Sequence, residues 1–171
     1  MITATAEPAD AHSLERLYQD YQRPILAYLL RLVGQRETAE DLCQETFVKA
    51  LRGWTRRDAQ ANAAAWLYRI ATNTAYDHLR RRRRVCFTPL LETAPTPSPT
   101  HAIETCLAER EPVRAALARL PLRYRVPLVL HTCLGHSLQE VATMLGCSEA
   151  AAKMRLFRAR ERFRQVYQGQ S

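Results

Sequence analysis

Glycine is scarce in this chain, and its scarcity bears directly on the fold. Five glycines occur among 171 residues, and no stretch alternates β-branched with polar residues as a half-buried strand does. Apolar residues instead recur every three or four positions, which is the period of an amphipathic helix. The sequence therefore predicts an all-α fold.

Paired cysteines are also lacking. The five cysteines are odd in number and widely spaced, and no C-x-x-C pair exists: they are Cys43, Cys86, Cys106, Cys133 and Cys147. This pattern argues against a disulfide framework and against a four-cysteine zinc site. His131, Cys133, His136 and Cys147 come closest to a metal cluster, but their spacing fits no common zinc pattern. We expect buried thiols and surface histidines there, with no metal and no cofactor.

Long apolar runs are absent as well. No segment approaches the roughly 20 apolar residues of a membrane span, and residues 1–10 lack the basic flank and apolar core of a signal peptide. We therefore expect a cytoplasmic protein that does not insert into a membrane. No set of carboxylates, histidines and cysteines has catalytic spacing, which argues against an enzyme.

The chain does have an excess of positive charge, and it is unevenly distributed. The net charge of +8 divides into +4 over residues 1–88 (14 Lys/Arg minus 10 Asp/Glu), −3 over residues 89–111 (1 minus 4) and +7 over residues 112–171 (10 minus 3). Two basic blocks separated by an acidic one are typical of two polyanion-binding modules. Three prolines within residues 93–100 preclude a helix there and predict an extended linker.

Three long helices are predicted before the linker. The first spans residues 13–33, where Pro24 would kink or divide it and Gly34 would end it. The second spans residues 37–52 and the third residues 64–83. The outer face of the second helix is almost wholly acidic, which indicates either a solvated face or a docking surface for a basic partner. That face consists of Glu37, Glu40, Asp41, Gln44, Glu45 and Val48.

The third helix has one apolar side and one side typical of single-stranded nucleic-acid binding. The predicted buried side consists of Leu67, Ile70, Ala71, Thr74 and His78. The other side combines rings that can stack on bases, cations for phosphates and an amide that can read a base edge. It carries Arg69, Thr72, Asn73, Tyr76 and Arg80, with Trp66 and Asp77 at its edges and the arginine run 80–84 at its end. Packing roles for Trp66 and Tyr76, and a solubility role for the arginine run, are the alternatives.

A helix-turn-helix is predicted near the C-terminus, after helices over residues 112–120 and 122–134. Ser137 and Glu140 form a capping box, in which the serine accepts from the amide three residues on and the glutamate reaches back. Residues 138–145 then carry apolar side chains at helical spacing. This pattern is typical of the first helix of the motif.

The last helix, from Ser148 to about Tyr167, has the two faces of a DNA recognition helix. The face that must pack inward carries Ala152, Leu156, Ala159 and Phe163. The opposite face combines small and apolar side chains, suited to base edges and thymine methyls, with cations suited to phosphates. Its predicted DNA contacts are Ser148, Ala150, Lys153, Met154, Arg155, Phe157, Arg158, Arg160 and Arg162. A merely basic surface helix would not explain Phe157, which lies opposite the buried stripe.

Two stretches of the chain resemble the sigma-70 family of bacterial RNA polymerase sigma factors. EDLCQETFVKA (40–50) and WLYRIATNTAYDHLR (66–80) resemble its region 2, and residues 120–161 resemble its region 4. Two regions in this order with only a short linker are similar to the extracytoplasmic-function (ECF, group 4) subfamily. The resemblance implies two small helical domains joined by a flexible linker. Its expected segments are a tail (1–12), region 2 (13–84), an acidic, proline-rich linker (85–103) and region 4 (104–171).

The resemblance also implies what each surface binds. The acidic face of the second helix would dock on the β′ clamp helices of core RNA polymerase, and region 4 would read the −35 element and sit on the β flap. The third helix and the loop before it would open the promoter and read the −10 element, with Asn73 at the base-reading position. The residues implied at the −10 element are Arg56, Arg57, Trp66, Arg69, Asn73, Tyr76, Asp77, Arg80 and Arg81. The linker would thread the RNA channel, and an anti-sigma factor is a possible partner.

One alternative function and one departure from the family pattern bear on this prediction. A stand-alone helix-turn-helix transcriptional regulator would explain residues 137–165 but would leave the region 2 motifs unused. Met154 and the pair Ala150–Ala151 differ from the small, hydroxyl or glycine residues usual in the family, which predicts an atypical −35 sequence. The linker permits the two domains to lie apart or to fold together.

Overall fold

Helices make up all the regular structure of residues 8–57, 62–85 and 111–169, which are the parts of the chain that the computed structural model describes. The seven α-helices there are α1 (Pro8–Val33), α2 (Arg36–Gly53), α3 (Ala63–Val85), α4 (Glu111–Arg119), α5 (Leu122–Leu128), α6 (Leu138–Leu145) and α7 (Glu149–Gln168). A 3-10 turn (Trp54–Arg56) follows α2, and a π-helical turn (Val129–Cys133) follows α5. The predicted all-α class is confirmed.

Helices α1, α2 and α3 pack against one another and form the N-terminal bundle. Its centre is apolar. Ile25, Leu29 and Leu32 of α1 and Leu67 of α3 are fully buried, and Leu42 of α2 is 3% exposed. Burial of each such side chain stabilises the fold by about 1.5–3 kcal/mol. This shared core fixes the rotation of α2 and α3, and therefore decides which of their side chains face outward.

The first helix is longer than the sequence suggested, and Pro24 does not divide it. It begins at Pro8 rather than at Ser13, and it runs without a break through Pro24. Proline removes one backbone hydrogen bond, but the fully buried Ile25 and Tyr28 just beyond it hold the helix against the bundle. Gly34 ends α1 as predicted: its φ is +80°, and its amide donates to the Leu30 carbonyl oxygen at 2.8 Å.

Thr72 lies inside the bundle, which corrects its predicted position on the polar side of α3. It is 4% exposed, and its hydroxyl donates to the carbonyl oxygen of Tyr68 at 2.7 Å. That hydroxyl also accepts from the Tyr28 hydroxyl at 2.7 Å, so the buried polar groups satisfy one another. Burial raises the pKa of Tyr28, and the phenol therefore stays protonated as a donor.

Helices α4 to α7 form the C-terminal domain, in which α7 packs across α4, α5 and α6. The predicted inward face of α7 is confirmed for Ala152, Leu156 and Ala159, which are buried. The helix predicted over residues 122–134 is present as one continuous helical run over residues 122–133, but its second part is a π turn, where the Leu134 amide donates to the Val129 carbonyl oxygen at 3.1 Å. A π turn inserts one extra residue into a helix, and hydrophobic periodicity does not reveal it.

The N-terminal bundle and the C-terminal domain are in contact. Helix α6 packs against α3, and α4 and the π turn pack against α1. Arg125 of α5 crosses this boundary: its Nη1 donates to the Leu32 carbonyl oxygen in α1, and its Nη2 donates to the carbonyl oxygens of Ala118 and Leu120. Burial lowers the pKa of Arg125 to about 10, so the guanidinium is charged at neutral pH.

Candidate nucleic-acid interface

A tight turn between α6 and α7 sets the geometry of the helix-turn-helix. The predicted capping box is present: the Glu140 amide donates to the Ser137 hydroxyl at 3.2 Å, and the Ser137 amide donates to the Glu140 carboxylate at 2.8 Å. Gly146 ends α6 with a φ of +60°, a conformation that side chains disfavour. The Ser148 hydroxyl then accepts from the Ala151 amide at 3.2 Å and caps α7.

The outward face of α7 is apolar at its centre and basic around it. Phe157 is 59% exposed and Met154 is 52% exposed, because no side chain in the described residues covers them. Every predicted −35 residue is exposed: Ser148, Ala150, Lys153, Met154, Arg155, Phe157, Arg158, Arg160 and Arg162. An exposed aromatic ring among cations suits the major groove, where apolar side chains contact thymine methyls and cations contact phosphates.

Two of the arginines of this domain are held by a ring. The guanidinium of Arg162 lies over Tyr124 at 4.9 Å from the ring centroid, and that of Arg123 lies over the same ring at 4.8 Å. Cation–π contacts of this kind restrict the side chain without neutralising its charge. Arg162 therefore belongs to a positioned pair of cations beside α5, whereas Arg158 projects from the exposed face of α7.

The start of α3 is a cluster of aromatic rings. Trp66 meets Trp54 edge to face, with centroids 6.0 Å apart, and the guanidinium of Arg57 lies 4.5 Å from the Trp54 ring centroid. Asn62 caps α3, because its side-chain oxygen accepts from the Ala65 amide at 3.1 Å. Trp66 is thus half-buried and packs against the core, so the packing role weighed for it from the sequence is present.

Most of the residues implied at the −10 element share the outer side of α3. Six are exposed: Arg56, Arg69, Asn73, Tyr76, Arg80 and Arg81. Three are half-buried: Arg57, Trp66 and Asp77. Asp77 accepts from Arg80 at 3.0 Å, one turn along the helix. The geometry therefore offers a cationic surface with an exposed amide at Asn73 and exposed edges of Tyr76, as stacking and base reading require.

The acidic face of α2 is open at some positions and ion-paired at others. Glu37, Asp41, Gln44 and Val48 are exposed. Glu40 pairs with Arg36, and Glu45 pairs with Lys49, both at 2.8 Å. Surface pairs of this kind contribute little to stability, so the face keeps its charge available. Glu37 and Asp41 are its most accessible carboxylates.

No group of three or more histidine, cysteine or acidic side chains within the described parts of the chain is arranged to hold a metal ion. Cys43 is buried, but of the two thiols expected to be buried near the histidines, Cys133 is exposed and Cys147 is half-buried. Cys86 and Cys106 lie outside the described residues. His131 is half-buried rather than at the surface, and its Nδ1 is 2.7 Å from the His136 carbonyl oxygen. Although Cys133 as a whole residue is exposed, partial desolvation raises the pKa of its thiol, which disfavours the reactive thiolate.

Sequence reasoning did not single out Arg125 or Tyr68, both of which position the surfaces above. Tyr68 is 3% exposed and supports α3 from within the bundle, through edge-to-face contacts with Tyr21 and Tyr28. Arg125 ties α5 to α1. The sequence carries no signal for Arg125, because its partners are backbone carbonyls that any residue supplies.

No helix in the described residues is long and apolar enough to cross a membrane.

Comparison with known proteins assigns both halves of the chain to regions of one protein family. The family model for sigma-70 region 2 matches residues 17–85, and that for sigma-70 region 4 matches residues 110–163. The ECF RNA polymerase sigma factor SigM of Mycobacterium tuberculosis is 33% identical, over 94% of this chain and 80% of its own length. The RNA polymerase sigma-H factor of Pseudomonas aeruginosa is 32% identical, over 94% of this chain and 89% of its own length.

Solved structures agree with the fold. CnrH, in complex with the cytosolic domain of CnrY, aligns with a TM-score of 0.67 and 27% identity over 94% of this chain and 91% of that one. The sigma factor RpoE of Bartonella quintana, in complex with the anti-sigma factor NepR, aligns with a TM-score of 0.75 and 24% identity over 91% and 97%. These matches cover both helical units in the same order. The chain belongs to the ECF sigma factors of the sigma-70 family.

Proposed function

We propose that three surfaces of this chain divide the work of an ECF sigma factor, which binds core RNA polymerase and directs promoter-specific initiation. The acidic face of α2 docks on core polymerase, the outer side of α3 reads the −10 element, and the outer face of α7 reads the −35 element. One observation carries the proposal. The chain carries two basic helices with exposed aromatic rings, α3 with Tyr76 and α7 with Phe157. They lie within the matched regions 2 and 4, in the order that the family has them.

The proposed docking on core polymerase rests on charge. Glu37 and Asp41 project from α2 on the side opposite its buried stripe, where a basic partner surface can meet them without disturbing the bundle. Complementary charge of this kind speeds association and fixes register. We propose the β′ clamp helices as this partner and the β flap as the partner of the C-terminal domain. An anti-sigma factor remains a prediction from family membership.

The proposed −10 contacts rest on the chemistry of α3. Asn73 offers donors and an acceptor to one base edge, Tyr76 offers a ring for stacking, and Arg80 offers a cation to a phosphate. Strand separation then exchanges paired, stacked bases for bases held by the protein. The proposed passage of residues 85–103 through the RNA channel concerns a segment that, beyond Val85, lies outside the described residues.

Transcription in vitro tests the function directly. The chain is mixed with sigma-free bacterial core polymerase and fragmented genomic DNA, and the RNA 5′ ends are sequenced. We expect discrete start sites that share two upstream motifs, which would also give the −35 and −10 sequences. Absence of both discrete starts and core binding would contradict the proposal and would favour a stand-alone helix-turn-helix regulator.

Arg158→Ala is expected to weaken −35 recognition by about 1–3 kcal/mol, which is the value of one bidentate contact between an arginine and a base. The physical reason is that Arg158 projects from the exposed face of α7 beside Phe157. Competition binding of the holoenzyme to the mapped promoter and to variants of its −35 element measures the effect.

The matched control is Arg164→Ala, which removes the same charge from the same helix. Arg164 lies nearer the end of α7 and is 3.9 Å from Glu161, so we expect little loss of −35 discrimination. If Arg158→Ala lowers affinity equally for every −35 sequence, Arg158 contacts a phosphate and does not read a base.

A further inference from the structure

Two arginines of the C-terminal domain meet at the ring of Tyr124 in α5. The guanidinium of Arg123, in the first turn of α5, lies 4.8 Å from the ring centroid, and that of Arg162, in α7, lies 4.9 Å from it. Two like charges beside one ring repel each other, and an anion between them would offset that repulsion. We call Arg123, Tyr124 and Arg162 the arginine clamp.

No carboxylate neutralises the arginine clamp. Neither of its arginines forms an ion pair within the parts of the chain that the structure describes, and no acidic residue stands three or four positions from either one. Arg36 and Arg164, by contrast, face Glu40 and Glu161 at 2.8 Å and 3.9 Å. A cation–π contact orients a guanidinium but leaves its charge in place, so the clamp is a positioned, uncompensated pair of cations.

The ring that holds the two arginines is itself fixed. Tyr124 is 8% exposed and belongs to the apolar core where α5 packs on α7. Its amide donates to the Pro121 carbonyl oxygen at 2.9 Å, and the adjacent Arg125 donates to the carbonyl oxygens of Leu32 and Leu120. The ring therefore orders the two guanidiniums before any ligand arrives, which lowers the entropic cost of binding one.

The arginine clamp continues the proposed −35 surface of α7. Arg155, Arg158 and Arg162 recur at i, i+3 and i+7, so they form one row along an edge of the helix, and all three are exposed. The row starts beside Met154 and Phe157 and ends at the clamp. At 1.5 Å of rise per residue it is roughly 10 Å long, and successive phosphates of one DNA strand follow each other by about 3.4 Å along the axis. The row can therefore face more than one phosphate of the same strand.

We propose that Arg123 and Arg162 bind the phosphate backbone of the promoter beside the −35 element, outside the bases that α7 reads, and that Tyr124 is the positioning residue that holds them for this contact. Arginine matches a phosphate with two parallel N–H donors, and a phosphate contact carries no base information. The clamp thus adds affinity at every promoter and leaves the preferred −35 sequence unchanged. The inference rests on the proposed role of α7 at the −35 element.

Promoter DNA in which one phosphate at a time is replaced by a neutral methylphosphonate locates the contact. Holoenzyme, assembled from the full chain and core polymerase, is titrated with the mapped promoter and with each derivative. Wild type should lose about three- to tenfold in affinity at one or two phosphates just outside the −35 bases. Arg123→Gln combined with Arg162→Gln should bind the unmodified promoter more weakly and lose nothing further at those phosphates, because the two changes remove the same contact.

Two substitutions of the ring separate positioning from charge. Tyr124→Leu keeps both arginines but should weaken binding to every −35 variant by about three- to tenfold, because the two side chains must then be ordered on binding. Tyr124→Phe keeps the ring and should stay within about twofold of wild type. A plot of the logarithm of the association constant against that of the salt concentration should keep its slope in Tyr124→Leu. The double arginine variant should lose about 0.9 of that slope per phosphate contact removed.

The ratio of affinities for the mapped and a scrambled −35 element checks that α7 remains intact. It should be the same in every variant, whereas a general disturbance of the domain by Tyr124→Leu would lower it. Arg164→Gln is the matched control, because it removes the same charge from an exposed position on the other edge of α7. It should leave the losses at the clamp's phosphates unchanged.

Three results would overturn the proposal. Equal methylphosphonate losses in wild type and in the double arginine variant would show that the arginines do not contact those phosphates. A changed −35 preference in the double variant would show that they read bases. Equal weakening by Tyr124→Phe and Tyr124→Leu would show that the ring is not what positions them. Loss of all −35 discrimination in wild type would instead remove the premise about α7, and the start-site experiment distinguishes that case because its upstream motifs come from wild type alone.

Discussion

Glu37→Lys combined with Asp41→Lys is expected to abolish binding of core RNA polymerase, with a loss of affinity of about 100-fold or more. Both carboxylates project from the exposed face of α2, so the substitutions bring like charges against a basic partner. Such juxtaposition costs several kcal/mol, and each loss of about 1.4 kcal/mol is tenfold in affinity. Titration of labelled chain with core polymerase measures the effect.

The choice of Glu37 and Asp41 over Glu45 follows from the ion pairs of α2. Glu45 holds Lys49 at 2.8 Å, and Lys49 donates to the Thr74 hydroxyl in α3 at 3.1 Å, so a lysine at position 45 would disturb the bundle as well as the face. The matched control is Glu15→Lys with Asp20→Lys, which makes the same charge change at exposed positions of α1. Equal loss in both double variants would mean that net charge, and not the face of α2, determines core binding.

Arg125→Met is expected to lower the free energy of unfolding by about 2–4 kcal/mol, the second largest effect we predict. The guanidinium donates to three backbone carbonyls, at the ends of α1 and α4, and methionine leaves them without that donor in a buried place. The loss is smaller than three charged hydrogen bonds would suggest, because desolvation of the guanidinium, which lowers its pKa to about 10, is relieved at the same time. Urea denaturation followed by circular dichroism gives the value.

Arg119→Met is the control for Arg125→Met. Arg119 is exposed in the last turn of α4, so its loss should change stability by less than about 0.5 kcal/mol. If Arg125→Met is equally mild, the buried carbonyls must find water or other donors when the guanidinium is removed, and Arg125 does not hold α5 to α1.

The fold class and the exposed face of α7 could be predicted from the sequence because both follow from local rules. The period of 3.6 residues predicts that Ala152, Leu156 and Ala159 face the core, and all three are buried. Ser137 and Ser148 are N-cap residues, and they predict where α6 and α7 begin. Phe157 was recognised as exposed because it falls opposite that stripe. None of these predictions needs knowledge of a distant part of the chain.

Other positions could not be predicted, because their partners are remote in sequence. The sequence predicts Thr72 at the surface. The hydrogen bond that allows its burial comes from the hydroxyl of Tyr28, which is 44 positions away. Arg125 is buried in α5, and its partner 93 positions away is the backbone carbonyl of Leu32, a group that every residue carries and that the sequence does not mark. The π turn at Val129 and the contact of α6 with α3 likewise depend on tertiary packing.

The contact of α6 with α3 also changes how the free chain meets the chromosome. Two linked cationic surfaces would bind DNA with avidity, because engagement of one raises the effective concentration of the other to the millimolar range. A genome offers about 10⁶–10⁹ competing non-specific sites, and a bivalent chain would be sequestered among them. Packing of α3 against the C-terminal domain fixes the relative position of the two surfaces, so bivalent binding is possible only on DNA whose path matches that geometry.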